Sequence, residues 1–269
     1  MTILVTGATG TVGRHVVDQL LKKGVNVRAI SRKPEQADLP AGVEVVAGDL
    51  AIPESLEAAL QDVTALHLIA SSYTFQTDPK MIEMAQRAGV KRVSVLVSDT
   101  EGPVEAALAN SGMEWTLLKP VEFMANAMID WQESIRSEGV VREPFGNALS
   151  AKVHEADIAS VSVTALLESG HHGQSYFLTG PEALTRIESV QIISKILQKE
   201  IRFEELSEEQ ARQNWRDQGY EEADIEFFVA MGKNPPEVGY TVLPTVEQVT
   251  GKPARTFAAW VSEHKSYFG

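Results

Sequence analysis

The first part of the chain alternates short apolar runs with segments in which apolar residues have helical spacing. The runs are apolar at nearly every position, which is typical of parallel strands covered by helices on both faces. They are Ile3–Val5, Val25–Ile30, Val43–Ala47, Ala65–Ala70, Val93–Val97 and Trp115–Leu118. This alternation predicts βαβ units and an α/β fold with a parallel sheet.

The polar and apolar pattern also predicts individual helices. Apolar residues from Val12 to Leu21 form one stripe, and Gly24 stands where such a helix typically ends. Asp157 is predicted to cap a helix that runs through Leu167, and Gln174–Leu178 is predicted to be a strand.

The regular alternation ends after Pro120, and a turn is predicted at Pro144–Asn147. We therefore expect a first domain over residues 1–145, rejoined by residues 151–180. Residues 146–269 are expected to form a smaller mixed lobe that is mainly helical.

Composition narrows the class of protein. The 269 residues are 43% hydrophobic, which supports a sizeable core, and the absence of cysteine excludes disulfides and thiolate metal sites. No metal site is predicted. The formal net charge of −13 opposes direct binding to nucleic acid or anionic membranes. Without a basic leader or an apolar run of roughly 20 residues, we expect a cytoplasmic protein, and a homodimer remains open.

A glycine motif follows the first apolar run. Gly7, Gly10 and Gly13 lie between a predicted strand and a predicted amphipathic helix. In that context glycine lets the backbone approach a pyrophosphate, and the helix amino terminus offers free N–H groups to it. The motif predicts a dinucleotide site in a doubly wound sheet of the Rossmann type.

The end of the second strand indicates which dinucleotide binds. A site for NAD(H) usually has an acidic residue there, whereas this chain has Ser31, Arg32 and Lys33. Because a guanidinium pairs with a 2′-phosphate, NADP(H) is favoured, and NAD(H) remains open. Asp49, after the third strand, either accepts a hydrogen bond from adenine or caps the helix after Pro53.

These motifs resemble the NmrA-like family of atypical short-chain dehydrogenase/reductases, over almost the whole chain. The stretches that carry the resemblance are the glycine motif, Ser31–Lys33, Gly48–Leu50, Ala70–Ser72, Ser111–Pro120, Phe123–Asn126, His154–Ala159 and Tyr176–Pro181. The sequence is similar to bacterial members that include NADPH-dependent quinone and triphenylmethane-dye reductases. The same family also contains NADP-sensing regulators.

The resemblance implies a site at the carboxyl ends of the strands, where open α/β sheets bind ligands. The implied pyrophosphate residues are Gly7, Thr9, Gly10, Thr11 and Val12, with Gly13 packing the helix against the turn. Arg32 and Lys33 are assigned to the adenosine phosphate, and Leu50 to the same site as Asp49. Ala70 and Ser71 are implied under the nicotinamide ribose, Val97 and Ser98 beside the nicotinamide, and Phe123 and Met124 at the ring and the substrate.

The chain lacks one feature of the wider superfamily, because none of its five tyrosines has a lysine four residues later. The usual proton donor is thus missing, and Tyr73 and Ser98 are the nearest candidates by topology. We expect Tyr73 to orient the substrate, within an aromatic and thioether wall formed by Tyr73, Phe75, Phe123, Met124 and Trp131. For Met124 and Trp131 a position in the core is an equal alternative. His67, inside the fourth apolar run, is expected to be a core histidine with a hydrogen-bond partner.

Two functions follow from these observations. One is hydride transfer from NADPH to a small electron-poor acceptor, such as a quinone, an imine or a dye-like compound, which needs little acid catalysis. The alternative is a non-catalytic sensor of NADP(H) that acts through a protein partner, which the missing Tyr-Lys pair and a short connection after Ser98 favour.

Overall fold

The computed structural model describes residues 1–72, 75–97 and 102–269. In chain order, its strands are β1 (Thr2–Val5), β2 (Asn26–Ser31), β3 (Val43–Ala47), β4 (Val63–Ile69), β5 (Ser71–Ser72), β6 (Phe75–Gln76), β7 (Arg92–Leu96), β8 (Glu114–Pro120), β9 (Val140–Glu143), β10 (Leu149–Ser150), β11 (Gln174–Leu178), β12 (Leu184–Thr185) and β13 (Arg202–Glu205).

The helices, in the same order, are α1 (Gly13–Lys22), α2 (Glu57–Leu60), α3 (Lys80–Arg87), α4 (Pro103–Ala109), α5 (Asn126–Glu138), α6 (Glu155–Leu167), α7 (Arg186–Leu197), α8 (Glu208–Asp217), α9 (Glu222–Lys233), α10 (Glu237–Tyr240), α11 (Thr245–Thr250) and α12 (Phe257–His264). Short 3₁₀ helices span Pro34–Gln36, Pro53–Leu56 and Lys265–Tyr267. Among the helices of the described ranges, none combines the length and apolar character needed to cross a membrane.

Seven strands form one sheet in the order β11-β8-β7-β4-β1-β2-β3, and every neighbouring pair is parallel. The chain builds outward from β1 in one direction and from β4 in the other, so the strand order reverses between these two strands. This confirms the predicted doubly wound sheet. Its central strand β1 is buried on both faces, since Ile3, Leu4 and Val5 have no exposed surface.

The chain divides into two compact units. Unit 1 comprises Met1–Pro120, Glu155–Leu178 and Thr245–Lys252, and it contains the seven-stranded sheet. Unit 2 comprises Val121–His154, Thr179–Pro244 and Pro253–Gly269. It contains two small sheets, β10 with β12 and β9 with β13, and most of its residues are helical or in loops.

The bounds of the two units differ from those expected from the sequence. Residues 121–145 were expected in the first domain, but they belong to unit 2. The physical reason is the apolar face of α5, because Ala127, Trp131 and Ile135 are buried in the core of unit 2. The expected assignment of cofactor binding to one part and substrate binding to the other stays a prediction.

The predicted cap of α6 is wrong. The helix begins at Glu155, so Asp157 lies within its first turn and is buried. An acidic residue in the first turn is stabilised by the positive partial charge of the helix amino terminus. Because an aspartate suits the first turn as well as the cap, the sequence pattern alone did not show which of the two positions Asp157 occupies.

His67 is a fully buried residue at the centre of β4, as predicted for a core histidine. Its Nδ1 lies 3.1 Å from Ser94 Oγ and 2.8 Å from Ser162 Oγ, and the two hydroxyls are 2.7 Å apart. Nε2 has no hydrogen-bond partner in the described part of the chain. Burial lowers the pKa of His67 to about 4, so the ring is neutral at pH 7.

Candidate functional site

The glycine motif lies where the strand order of the sheet reverses. Thr6, the residue after β1, joins this strand to β4, because its N–H donates to His67 O at 3.0 Å and its Oγ1 accepts from Ile69 N–H at 2.9 Å. The chain then turns at Gly7. The reversal point of an open α/β sheet is where such folds bind dinucleotides.

Two glycines of the turn are required by its geometry. Gly7 has a φ of 60°, in the left-handed region that glycine adopts without strain, and its carbonyl accepts from Gly10 N–H at 2.8 Å. A Cβ on Gly13 would lie 2.1 Å from Gly7 O. The first turn of α1 therefore lies directly against the backbone of the glycine turn.

The amino terminus of α1 has no side-chain cap, since Val12 occupies the N-cap position. The first N–H groups of this helix are therefore without a side-chain acceptor at the end where its positive partial charge concentrates. Thr9, Gly10 and Thr11 are exposed beside this terminus, whereas the Val12 side chain is buried in the core. Val12 offers only its backbone to a ligand.

Arg32 and Lys33 follow β2 and are both exposed. Lys33 N–H donates to Ser31 Oγ at 3.1 Å, which holds the backbone of this corner. Within residues 1–72, 75–97 and 102–269, neither Arg32 nor Lys33 forms an ion pair. Both cations are thus free to bind a phosphate.

The structure gives Asp49 a role different from the helix cap, one of its two predicted roles. Its Oδ1 accepts from Ala51 N–H at 3.0 Å, which closes a local turn, while the helix at Pro53 starts after Ile52 without a side-chain cap. Leu50, the neighbour of Asp49, is half-buried and packs against the core of unit 1. The adenine contact of Asp49 stays a prediction.

Ala70 and Val97 extend the carboxyl ends of β4 and β7. Ala70 N–H donates to Leu96 O, and Val97 N–H donates to Leu118 O, each at 3.0 Å. Both side chains are buried, so these residues, like Val12, present mainly backbone. The predicted roles of Tyr73 and Ser98 lie outside the described residues, as do those of the Ser71 and Phe75 side chains.

The structure separates the predicted substrate residues Phe123 and Met124. Phe123 is half-buried and forms a parallel bridge with Val153. Met124 and Trp131 have exposed fractions of only 1% and 4% and belong to the core of unit 2. The core alternative therefore holds for these two side chains, which offer almost no surface to a substrate.

Sequence reasoning missed a group of five charged residues in unit 2. They come from five separate segments of the chain, namely Glu122, Asp130, Glu143, Lys152 and Arg186. Arg186 Nη1 lies 3.0 Å from Glu143 Oε2, and Lys152 Nζ lies 3.6 Å from Glu122 Oε2. No sequence spacing connects these residues, so only the tertiary structure brings them together.

Two carboxyl groups of this charged group hold protons more tightly than usual. Packing around Asp130 removes solvation and raises its pKa to about 7, and the charges of Glu143 and Glu122 add to the shift. Burial also raises the pKa of Glu143, against the opposing effect of Arg186. Asp130 is therefore partly protonated at neutral pH.

The described residues fit a phosphorylated dinucleotide. The turn at Gly7 leaves no space for a Cβ on Gly13, so backbone and helix terminus meet as a pyrophosphate site requires. The exposed cations Arg32 and Lys33 fit an additional phosphate on the ribose of the adenosine.

The chain is similar to known NAD(P)H-binding proteins and reductases. A family model described as NAD(P)H-binding matches residues 7–103. The chain is 36% identical to (4-alkanoyl-5-oxo-2,5-dihydrofuran-3-yl)methyl phosphate reductase of Streptomyces griseus over 280 residues, covering 99% of each chain. It is 33% identical to NAD(P)H azoreductase of Xenophilus azovorans over 284 residues, again covering 99% of each chain.

The solved structures include a similar enzyme with its cofactor. The NADPH-dependent quinone oxidoreductase of Escherichia coli, complexed with NADPH, has a TM-score of 0.82 and 27% sequence identity to this chain. The match covers 98% of this chain and 99% of the other. From the full-length similarity, the glycine turn and the doubly wound sheet, the chain belongs to the NmrA-like family of atypical short-chain dehydrogenase/reductases and is an NAD(P)H-dependent reductase.

Proposed function

We propose that this protein transfers a hydride from NADPH to a small, electron-poor acceptor of the quinone or dye-like class. The observation that carries the proposal is the glycine turn at the reversal of the strand order, with the exposed cations Arg32 and Lys33 after the next strand, β2. Relatives named as azo and quinone reductases support the acceptor class.

The residues of unit 1 would bind and orient the cofactor. Backbone N–H groups from Thr11 to Gly13 would face the pyrophosphate, and the guanidinium of Arg32 would pair with the 2′-phosphate. NADPH, when bound, supplies the hydride from its nicotinamide. The backbone at Ala70 and Val97 lies at the carboxyl ends of the neighbouring strands β4 and β7. The nicotinamide half of the cofactor is expected there.

Quinones and dyes suit a chain without the tyrosine-lysine pair. Delocalisation stabilises the product of hydride transfer to these acceptors, whereas a simple ketone leaves an alkoxide that needs a positioned acid. Half-buried Phe123 offers an aromatic surface for a flat acceptor, and we assign it the positioning of that acceptor.

The test is the loss of NADPH absorbance with a panel of quinones, cationic dyes and simple ketones. Turnover with quinones or dyes, and rates at least about tenfold lower with simple ketones, are expected from the missing acid. Gly13→Ala, which disturbs the pyrophosphate turn, is the control for activity that depends on the bound cofactor. Tight NADPH binding without oxidation by any acceptor would contradict the proposal and favour the sensor alternative.

A further inference from the structure

The turn at Pro144–Asn147, in unit 2, holds its aromatic residue in a strained conformation. Phe145 has a φ of 56°, in the left-handed region that a bulky side chain rarely adopts. Its ring lies directly against the backbone of α9, because a Cβ on Gly232 would lie 2.1 Å from Phe145 Cδ2. The next residue, Gly146, is enclosed as well, since a Cβ there would lie 2.7 Å from Phe203 Cε1. Strain of this kind persists only where the surrounding structure enforces it.

A second part of unit 2 close to this turn is held by α10. Ala151 N–H donates to Gly239 O at 2.8 Å, which ties α10 to the segment after β10. Thr241 donates twice to Glu237 O, through its N–H at 3.1 Å and its Oγ1 at 2.7 Å. Tyr240, the last residue of α10, lies between these two fixed positions. Its ring is therefore carried by an ordered backbone.

The turn and α10 line a pocket of about 540 Å³, all of whose lining residues belong to unit 2. This volume lies within the range of small-molecule sites, about 300–1,000 Å³. Phe145 and Tyr240 are half-buried and line the pocket, together with the apolar side chains of Leu149 and Pro235. The pocket therefore has the size and the aromatic lining that suit a small, flat molecule.

The charges at the pocket favour a positively charged ligand. Glu205 lines the pocket and is exposed, and its Oε1 accepts from Gly146 N–H at 3.2 Å. In the described part of the chain, Glu205 forms no ion pair. Lys233, which also lines the pocket, is paired with the carboxylate of Glu208. The positive charge of Lys233 is therefore offset, whereas the negative charge of Glu205 is available to a ligand.

We propose that this pocket of unit 2 binds a flat aromatic cation. The ring of the ligand packs against Phe145 and Tyr240, and its positive charge lies near the Glu205 carboxylate. A cation also interacts favourably with the electron-rich faces of aromatic rings. Binding is non-covalent and independent of the proposed hydride transfer.

The same groups disfavour aromatic ligands of other charge. An anion would meet the Glu205 carboxylate, and the nearby cation Lys233 already has Glu208 as its partner. A neutral ring keeps the packing but gains nothing from the carboxylate. Because Glu205 is exposed, solvent screens its charge, and we expect a preference of only about three- to fivefold for a cation over its neutral analogue.

The test compares 9-aminoacridine, a flat cation at slightly alkaline pH, with acridine, its neutral analogue at the same pH. Fluorescence titrations use protein saturated with NADP⁺, so that the dinucleotide site is filled. Wild type should bind the cation about three- to fivefold more tightly than the neutral ring. Glu205→Gln, whose amide oxygen can still accept from Gly146 N–H, should abolish this preference and leave the Kd of acridine unchanged. Tyr240→Leu should weaken the binding of both compounds, because it removes one of the two rings.

Glu209→Gln is the matched control for net charge. It removes the same charge from an exposed residue of α8 that does not line the pocket, so the preference for the cation should remain. No saturable binding of 9-aminoacridine, equal affinities for the two compounds in wild type, or a preference that survives Glu205→Gln would overturn the assignment.

A labelling experiment locates the bound cation. Because the chain has no cysteine, Asn147→Cys introduces a single thiol at an exposed residue that lines the pocket, and Glu209→Cys introduces one outside it. Saturating 9-aminoacridine should slow the alkylation of the Asn147→Cys variant and leave that of the Glu209→Cys variant unchanged. Equal protection of both variants, or of neither, would refute binding at this pocket. No acceptor is present in either experiment, so both outcomes hold whether or not the protein reduces quinones or dyes.

Discussion

Substitution of Gly13 by alanine tests the close contact on which the cofactor site depends. The added Cβ would lie 2.1 Å from Gly7 O, 2.7 Å from Gly7 C and 2.9 Å from Ala8 Cα. All three atoms belong to the backbone, so no side-chain rotation relieves the overlap. The first turn of α1 and the glycine turn must move apart by roughly 1 Å to restore an ordinary contact.

The expected cost follows from this overlap. Overpacking of this kind costs about 1–3 kcal/mol, and the gain in helix propensity from alanine offsets at most about 1 kcal/mol of it. If the turn keeps its shape, the strain lowers the free energy of unfolding. If the turn shifts, binding must restore it, and a cost of about 1–3 kcal/mol weakens the affinity for NADPH by about 5- to 150-fold.

Urea unfolding and calorimetric titration with NADPH measure these two quantities on the same protein. Gly10→Ala is the matched control, since its Cβ would lie 3.1 Å from Gly7 O and requires a much smaller adjustment. We expect Gly10→Ala to keep near-normal stability while still hindering the approach of the pyrophosphate. Gly13→Ala with both the stability and the NADPH affinity of wild type would refute the packing argument.

Three further substitutions test the electrostatics of the chain. Arg32→Glu should weaken NADPH binding more than NADH binding in calorimetry, because it places a negative charge beside the 2′-phosphate, and an unchanged preference would exclude Arg32 from that role. The folded-state pKa of His67, about 4, lies below its usual value of 6.5, so stability is full above pH 6.5 and falls with pH toward 4, by up to about 3 kcal/mol. His67→Leu should flatten this part of the urea-unfolding profile, and an unchanged slope would show that other groups cause it. Asp130 has the opposite sign, since its raised pKa of about 7 makes stability fall as pH rises through 7. Asp130→Asn should therefore raise the urea midpoint above pH 7 and change it little in acid, whereas a lower midpoint above pH 7 would contradict a destabilising charge at this position.

The sequence identified the sheet and the cofactor turn because both depend on local patterns. Continuous apolar runs indicate strands buried on both faces, and the observed β1, β2, β3, β4, β7 and β8 lie within two residues of the predicted runs. Gly7 is required by its own positive φ, and Gly13 by its close contacts with Gly7 and Ala8, only a few residues away along the chain. The spacing of these glycines in the sequence therefore indicates the tight turn that the structure contains.

Local pattern was less informative where a residue is either core or site. Met124 and Trp131 have apolar side chains suited to both, and only the packing of α5 in unit 2 places them in the core. The same packing moved residues 121–145 to unit 2. Asp157 shows this ambiguity for a polar residue, since an acidic side chain suits both the cap and the first turn of a helix.

The charged group of unit 2 was decided by tertiary structure alone. Glu122, Asp130, Glu143, Lys152 and Arg186 come from segments up to 64 residues apart, and each by itself is an ordinary charged residue in the sequence. Their effect on one another depends on distance and on the solvent that packing removes, which no spacing along the chain encodes. The sequence by itself thus indicated the strands and the cofactor turn, because apolar runs and glycine spacing are local patterns, whereas the fold determined the electrostatic surroundings of this charged group by bringing distant segments together.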